Sequence, residues 1–231
     1  MILAAARPNY LPDIAWFHKW ATADCFLLAD DIVFSPKSAV NRARIKTAQG
    51  TQRLTVPVLK KGKGAQTIKD LKIDNIRNWR QKHWKTLLTN YRLSPFFEYY
   101  ADFFETIYAR EASFLMNFNT EIIAYLQKAL KIEHPFLLTS KVEAACENTP
   151  SARIVALAQE MNCDTYLASP GDKAFLERTI FDAANINLQF QKFSPPVYTQ
   201  LFGKFTPNLS VIDLLFNTGP DAGRLLLSSC Q

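Results

Sequence analysis

The spacing of apolar and polar positions changes along this chain, and the changes mark its elements. "ILAAA" at residues 2–6 is an unbroken apolar run ended by Arg7-Pro8, as expected of a buried strand. After the turn Pro8-Asn9-Tyr10-Leu11-Pro12, apolar residues recur at Ile14, Phe17 and Trp20. That spacing predicts a short helix with Asp13 at its N-terminus and an end near Asp24. "CFLLADD" then reads as a second buried strand closing on Asp30 and Asp31. Strand, short helix and strand within about thirty residues form a βαβ unit. If the strands are parallel, the Pro8–Pro12 turn and the two aspartates leave the sheet at the same edge. Open α/β sheets bind ligands at that edge.

"QRLTVPVLK" alternates and predicts a further strand, with Pro57 marking its end or a sheet edge. "KKGKG" reads as a basic loop and "DLKID" as a short strand. From Trp79 to about Ile132 the period is helical, broken at Ser94-Pro95 and at Glu111-Ala112-Ser113. "FLLTS", "TYLAS" and "NLQFQKF" are strands, separated by helices in "SARIVALAQEM" and "DKAFLERTIFDAAN". "PNLSVIDLLFNTG" is a last amphipathic helix stopped by Gly219. This order predicts an α/β fold: a Rossmann-like, mostly parallel sheet flanked by helices, with an all-helical insert around residues 78–132. We read residues 1–231 as one domain, with a βαβ part at 1–77 and a second α/β part at 133–231.

Composition refines this picture in three places. Aromatic residues make up 13% of the chain, which implies an aromatic core or a stacking surface. No apolar run is long enough to span a bilayer, and "MILAAARPNY" has neither the basic start nor the length of a signal peptide, so a cytoplasmic protein without stable membrane insertion is expected. Cys25, Cys146, Cys163 and Cys230 lie far apart, the pattern of reduced core thiols rather than of disulfides or a zinc site.

The net charge of +6 is local. Residues 32–69 contain nine bases (Lys37, Arg42, Arg44, Lys46, Arg53, Lys60, Lys61, Lys63 and Lys69) and no acid, leaving 18 bases against 21 acids elsewhere. Such a block is a solvated loop or an attractor of anions. Arg42 and Arg44 share a face on a strand and diverge on a helix; Asn41 beside them is a cap or a hydrogen-bond donor. Arginine geometry suits bidentate phosphate contact.

Asp30 and Asp31 are candidates for a metal ion, a sugar hydroxyl or a proton, and a strand would turn only one toward a pocket. A turn or capping role is the structural alternative. His83 is a candidate proton carrier, although its neighbours Trp79 and Trp84 equally suit a packed histidine. Ser169 and Gly171 lie in a strand-to-helix turn able to close the same sheet edge. No glycine-rich phosphate loop occurs, and no catalytic triad is suggested by spacing.

Several ordered blocks together resemble the WbqC-like protein family along nearly the whole chain. They are "RPNYLP", "ADDIVFS", "NRARIKT", "LTVPV", the series Trp79, His83, Tyr91 and Pro95, then "TYLASPGDKAF" and "YTQLFGKFTPNLSVIDLLFNTG". Members usually carry His-Gln where this chain has Ala6-Arg7, and Ser-Gly where it has Ser169-Pro170. The resemblance implies a bacterial protein of the kind encoded among surface polysaccharide genes, with proposed transfer of glycine or another amino acid to an amino sugar. It highlights Asn9, Tyr10, Asp30, Asp31, Asn41, Arg42, Arg44, Lys46, Tyr198, Gln200, Ser210, Asp213 and Asn217.

The resulting expectation is a transferase in O-antigen or related polysaccharide synthesis. It acts on a nucleotide- or lipid-linked amino sugar, with aminoacyl-tRNA or an ATP-activated amino acid as donor and no assigned cofactor or metal. Asp30, Asp31 and His83 are its catalytic candidates. Asn9, Tyr10, Asn41, Arg42, Arg44, Lys46, Ser169, Gly171, Tyr198 and Gln200 are its substrate-binding candidates. The alternatives are a non-catalytic nucleotide-sugar binder and a nucleic-acid binder. Against the last, Phe34 is the one aromatic residue in the basic block.

Overall fold

Strand β1 (Ile2–Ala6) is the centre of a five-stranded parallel sheet in the computed structural model, which describes residues 1–60, 62, 64–143 and 149–228. On one side it pairs with β2 (Cys25–Leu28), reached through helix α1 (Ile14–Ala21), with Ala5 opposite Leu27. On the other side it pairs with a strand more than 150 positions later. That strand runs from Thr165 to Ala168 and is numbered β6 in chain order below.

The intervening chain first forms an antiparallel hairpin, β3 (Arg42–Thr47) and β4 (Gly50–Thr55), outside the main sheet. The predicted strand in "DLKID" is not formed. Ile73 and Lys72 make single bridges to Val58 and Phe114, because the segment crosses between the hairpin and the helices instead of running beside a strand. The insert follows as α2 (Trp79–Tyr91), α3 (Phe97–Ala109) and α4 (Leu115–Ala129), with breaks where Ser94-Pro95 and residues 111–113 predict them.

β5 (Phe136–Leu138), α5 (Pro150–Glu160), β6, α6 (Arg178–Ala183) and β7 (Asn187–Phe190) complete the sheet in the order β5-β2-β1-β6-β7. The single helix expected in "DKAFLERTIFDAAN" is divided into a 3₁₀ turn at Pro170–Ala174 and α6. The chain is extended at Glu177, whose N–H donates to Ser151 Oγ at 2.9 Å, and this contact to α5 replaces a helical bond. α7 (Val211–Thr218) ends at Gly219 with φ of 56°, and a further short helix, α8 (Ala222–Leu227), follows unpredicted.

The central strands are buried on both faces, so each presents alternate residues to a different core. Ala4, Phe26 and Leu28 join the larger apolar cluster with α1, α7, α8 and all three insert helices. Leu3 and Leu27 join a smaller cluster with α5 and α6. Much of the aromatic content is core: Trp16, Phe17, Trp20, Phe26 and Phe136 stack or meet edge to face beneath α1. Burying side chains of this size contributes about 1.5–3 kcal/mol each. Cys25 and Cys163 are free thiols; Cys146, Cys230, Lys61 and Lys63 lie outside the described residues. No described helix is long and apolar enough to cross a membrane.

Candidate functional site

The turn after β1 is held from three sides. Trp16 Nε1 donates to Arg7 O at 3.0 Å, and Asn119 Nδ2 on α4 donates to Pro8 O and Val40 O, both at 2.7 Å. The Tyr10 N–H donates to Ala39 O at 3.1 Å. Leu11 is fixed with φ of 43°, a strained value for a branched residue that only a rigid surround maintains. Asp13 then caps α1 by accepting from the Trp16 N–H at 2.9 Å.

This rigid turn separates two hollows, both lined by Asn9 and Ala39. The larger, about 680 Å³, opens at the carboxyl ends of β1, β2 and β6. The chain leaves β1 toward β2 on one side and has β6 on the other, so this is the topological switch point of the sheet. Ala5, Ala6 and Arg7 form one wall, Ser169, Gly171 and Asp172 another, and Thr149, Pro150 and Arg153 of α5 a third. The positive end of α5 therefore faces the cavity.

The smaller hollow, about 330 Å³, is lined by Lys37, Arg42, Arg44 and Arg53 with Asn9, Tyr10 and Ser210. Because β3 is a strand, Arg42 and Arg44 share a face; Arg53 stands opposite Arg44 on β4. Like charges placed directly opposite repel, and none of the ion pairs formed among the described residues involves these three arginines. Asp13 is the acid at the rim, its own pKa raised by burial against the opposing influence of its Trp16 bond and of Arg44.

Both aspartates lie beyond the end of β2, and their partners rather than strand alternation divide them. Asp30 is 2% exposed, and its carboxylate accepts from the Ser140 N–H at 3.0 Å and the Ser140 hydroxyl at 2.6 Å. It joins β2 to the turn after β5. Asp31 is partly exposed and pairs with Arg153 at 2.5 Å, with the Thr139 hydroxyl 2.6 Å away. Both partners line the larger cavity.

His83 stands apart from them. On α2 its Nδ1 lies 2.9 Å from the Tyr10 hydroxyl, which also bonds the Tyr108 hydroxyl. Burial lowers the imidazole to about 4, although a bond to the Thr55 backbone opposes this, so it is neutral at pH 7. It lines a separate hollow with Asn41, Arg42, Lys60 and Lys82. Asp30, Asp31 and His83 are therefore not one constellation, because the hairpin and the turn stand between α2 and β2. Tyr10 reaches the basic hollow as part of its wall, with its hydroxyl engaged in the insert.

Lys46, Tyr198 and Gln200 come together around a buried acid. Asp213 accepts from Tyr91, Tyr198 and Gln200 at 2.7–2.9 Å, while Lys46 Nζ donates to Gln200 Oε1 at 2.9 Å and Lys204 O at 2.7 Å. This network fastens the irregular segment 191–210 to β3 and α7. Ser210 caps α7, and the Asn217 amide donates to Asp213 O. Asn41 Nδ2 holds Val56 O at 2.8 Å.

Sequence reasoning overlooked Lys19, Thr139, Arg153 and Asp172. A lysine beside His18 in an otherwise apolar eight-residue helix was the available signal. Its Nζ donates to Ala5 O at 2.8 Å and Ser169 Oγ at 3.1 Å. Among the described residues no group of three or more His, Cys, Asp or Glu side chains could hold a metal ion.

The model of the WbqC-like protein family matches residues 7–225, a span that includes the turn, the hairpin, the insert, the smaller hollow and all of the larger one except Ala5 and Ala6. The chain belongs to the WbqC-like protein family. Within the curated proteins it is 32% identical over 222 residues to "Uncharacterized protein Rv1507c" of Mycobacterium tuberculosis (strain ATCC 25618 / H37Rv), covering 95% of each chain. No solved structure gives a significant match. In this WbqC-like chain, Ala6 and Arg7 after β1 and Ser169 and Gly171 on either side of Pro170 line the same cavity.

Proposed function

We propose that this WbqC-like protein is a group transferase in bacterial surface polysaccharide synthesis, joining glycine or another amino acid to the nitrogen of a diphosphate-bearing amino sugar. The observation that carries the reading is the pair of adjoining hollows sharing Asn9 and Ala39, one at the sheet's switch point and one lined by four bases. Arg42, Arg44, Arg53 and Lys37 hold the diphosphate by bidentate and point-charge contacts. The sugar reaches across Asn9 into the larger cavity, where Thr139 and Arg153 of the wall meet its hydroxyls and Asp31, paired with both behind that wall, orients them. Aminoacyl-tRNA or an ATP-activated amino acid supplies the acyl group. The amide C–N bond forms, the activated C–O bond breaks, and the nitrogen loses a proton.

Incubation with a nucleoside-diphosphate amino sugar, glycine, ATP and charged tRNA tests this by a mass gain on the sugar. No gain with any donor, from folded protein, overturns it. Calorimetric binding of the nucleotide sugar without turnover replaces it with a binding role.

A further inference from the structure

We infer that Ser169 and Lys19 form a nucleophile–base pair that carries the acyl group covalently on Ser169 Oγ during transfer. The inference rests on the transferase reading and adds to it a covalent intermediate.

Lys19 projects from α1 between the ends of β1 and β6, and only 2% of it is exposed. Its Nζ is 3.1 Å from Ser169 Oγ and 2.8 Å from Ala5 O. The charged group facing it is Asp172, from the turn after β6, at 4.0 Å; Tyr166 of β6 presents its ring at 5.7 Å. A buried ammonium normally requires close ionic compensation. Here burial outweighs the distant Asp172 carboxylate and lowers the amine to about 8, so a neutral fraction exists near neutral pH.

Ser169 connects this amine to the switch-point cavity. It is part-exposed and lines the cavity wall beside Gly171. Pro170 restricts Ser169, the residue before it, to the extended backbone it adopts, and the Ser169 N–H donates to Asp172 Oδ2 at 2.9 Å, so one carboxylate positions the nucleophile's backbone and faces the base. A hydroxyl in hydrogen-bond reach of a desolvated base, with a third group orienting both, is the arrangement that activates a serine.

The steps balance without a further reagent. Neutral Lys19 removes the Ser169 hydroxyl proton as Oγ attacks the carbonyl carbon of an activated acyl ester. The Oγ–C bond forms, the C–O bond to the leaving alcohol breaks, and Lys19 returns the proton to that alcohol. The acceptor amine then attacks the acyl carbon, the C–Oγ bond breaks, and the amine's proton passes through Lys19 to Oγ.

The probe is p-nitrophenyl acetate, with p-nitrophenolate release followed by stopped flow and the acetyl group mapped by peptide mass spectrometry. Acetyl is expected on Ser169, at a rate rising with pH through about 8. Ser169→Ala removes the label. Lys19→Arg keeps a cation for Ala5 O but no base at this pH, so labelling falls about 100-fold while circular dichroism is unchanged. If Lys19→Arg does not fold, the wild-type pH profile and Ser169→Ala carry the test. Labelling at another residue, Lys19 included, no label, or an undiminished rate in folded Lys19→Arg overturns the pair. The two readings separate cleanly. Acylation of the sugar by Ser169→Ala at the wild-type rate removes the intermediate and keeps the transferase. Labelled Ser169 without sugar acylation by any donor does the reverse.

Discussion

Arg153 on α5 and Asp31 beyond β2 meet at 2.5 Å although 122 positions separate them in the chain. Burial alone would raise the Asp31 pKa, but the Thr139 hydroxyl and the Arg153 guanidinium outweigh it and hold the carboxyl below its ordinary value. A carboxylate lowered on folding stabilises the protein above its unfolded pKa and loses that contribution as pH falls through the folded value. Arg153→Ala is expected to cost about 1.5–3 kcal/mol at pH 7. The difference from wild type narrows as pH falls below about 4. Urea unfolding at neutral and acid pH measures both, and an equal difference at the two pH values contradicts the pairing.

His83 predicts the same direction in a higher window. Its unfolded value is 6.5, and burial lowers the folded one to about 4. Between these the unfolded chain binds a proton that the folded chain does not, so stability declines as pH drops from 6.5 toward 4. His83→Gln flattens that part of the profile. Thermal denaturation across the window reads the slope, and an identical slope in the variant refutes the buried, neutral assignment.

Arg44 and Arg53 oppose stability and support binding at once. Replacing one of two like charges directly across a hairpin relieves repulsion worth about 0.2–1 kcal/mol. Arg53→Thr places a β-branched residue in β4 and is expected to leave stability level or slightly raised. It weakens pyrophosphate about tenfold, the equivalent of one charge-assisted hydrogen bond. Calorimetric titration at two salt concentrations decides this; unchanged affinity would remove Arg53 from the anion site.

Gly223 tests how α8 is seated. On helix propensity alone, alanine is better than glycine by about 1 kcal/mol. A Cβ here would lie 2.3 Å from Leu130 O at the end of α4, a backbone atom that cannot rotate away. Gly223→Ala should therefore destabilise by about 1–3 kcal/mol, seen as a lower denaturant midpoint. A higher midpoint would mean that α8 does not rest on Leu130.

Much of the architecture was legible because apolar period is a local property. The βαβ opening, the insert and its two breaks, and the later strands follow from runs and spacings a few residues long. "DLKID" misled because a short alternating segment suits a lone bridge as well as a strand. α6 was drawn too long because nothing local in "DKAFLERTIF" shows that the Glu177 N–H donates to Ser151 on another helix.

The candidate site was legible in part. The acid-free block and its paired arginines stood out, and the hairpin placed three of its bases around one hollow. Tyr10, Asp30, Lys46 and His83 were equally visible as polar residues in suggestive places. Their polar atoms instead engage partners inside the fold.

By itself the chain determined an α/β order, the position of the helical insert and a concentration of positive charge, all set by neighbours along the backbone. Tertiary structure alone decided which polar groups face an open cavity and which are engaged in buried bonds. It brought Lys19 to Ser169, 150 positions away, and Arg153 to Asp31. The physical reason is that desolvation and hydrogen-bond partnership arise from contacts between remote segments, which no local pattern of side chains records.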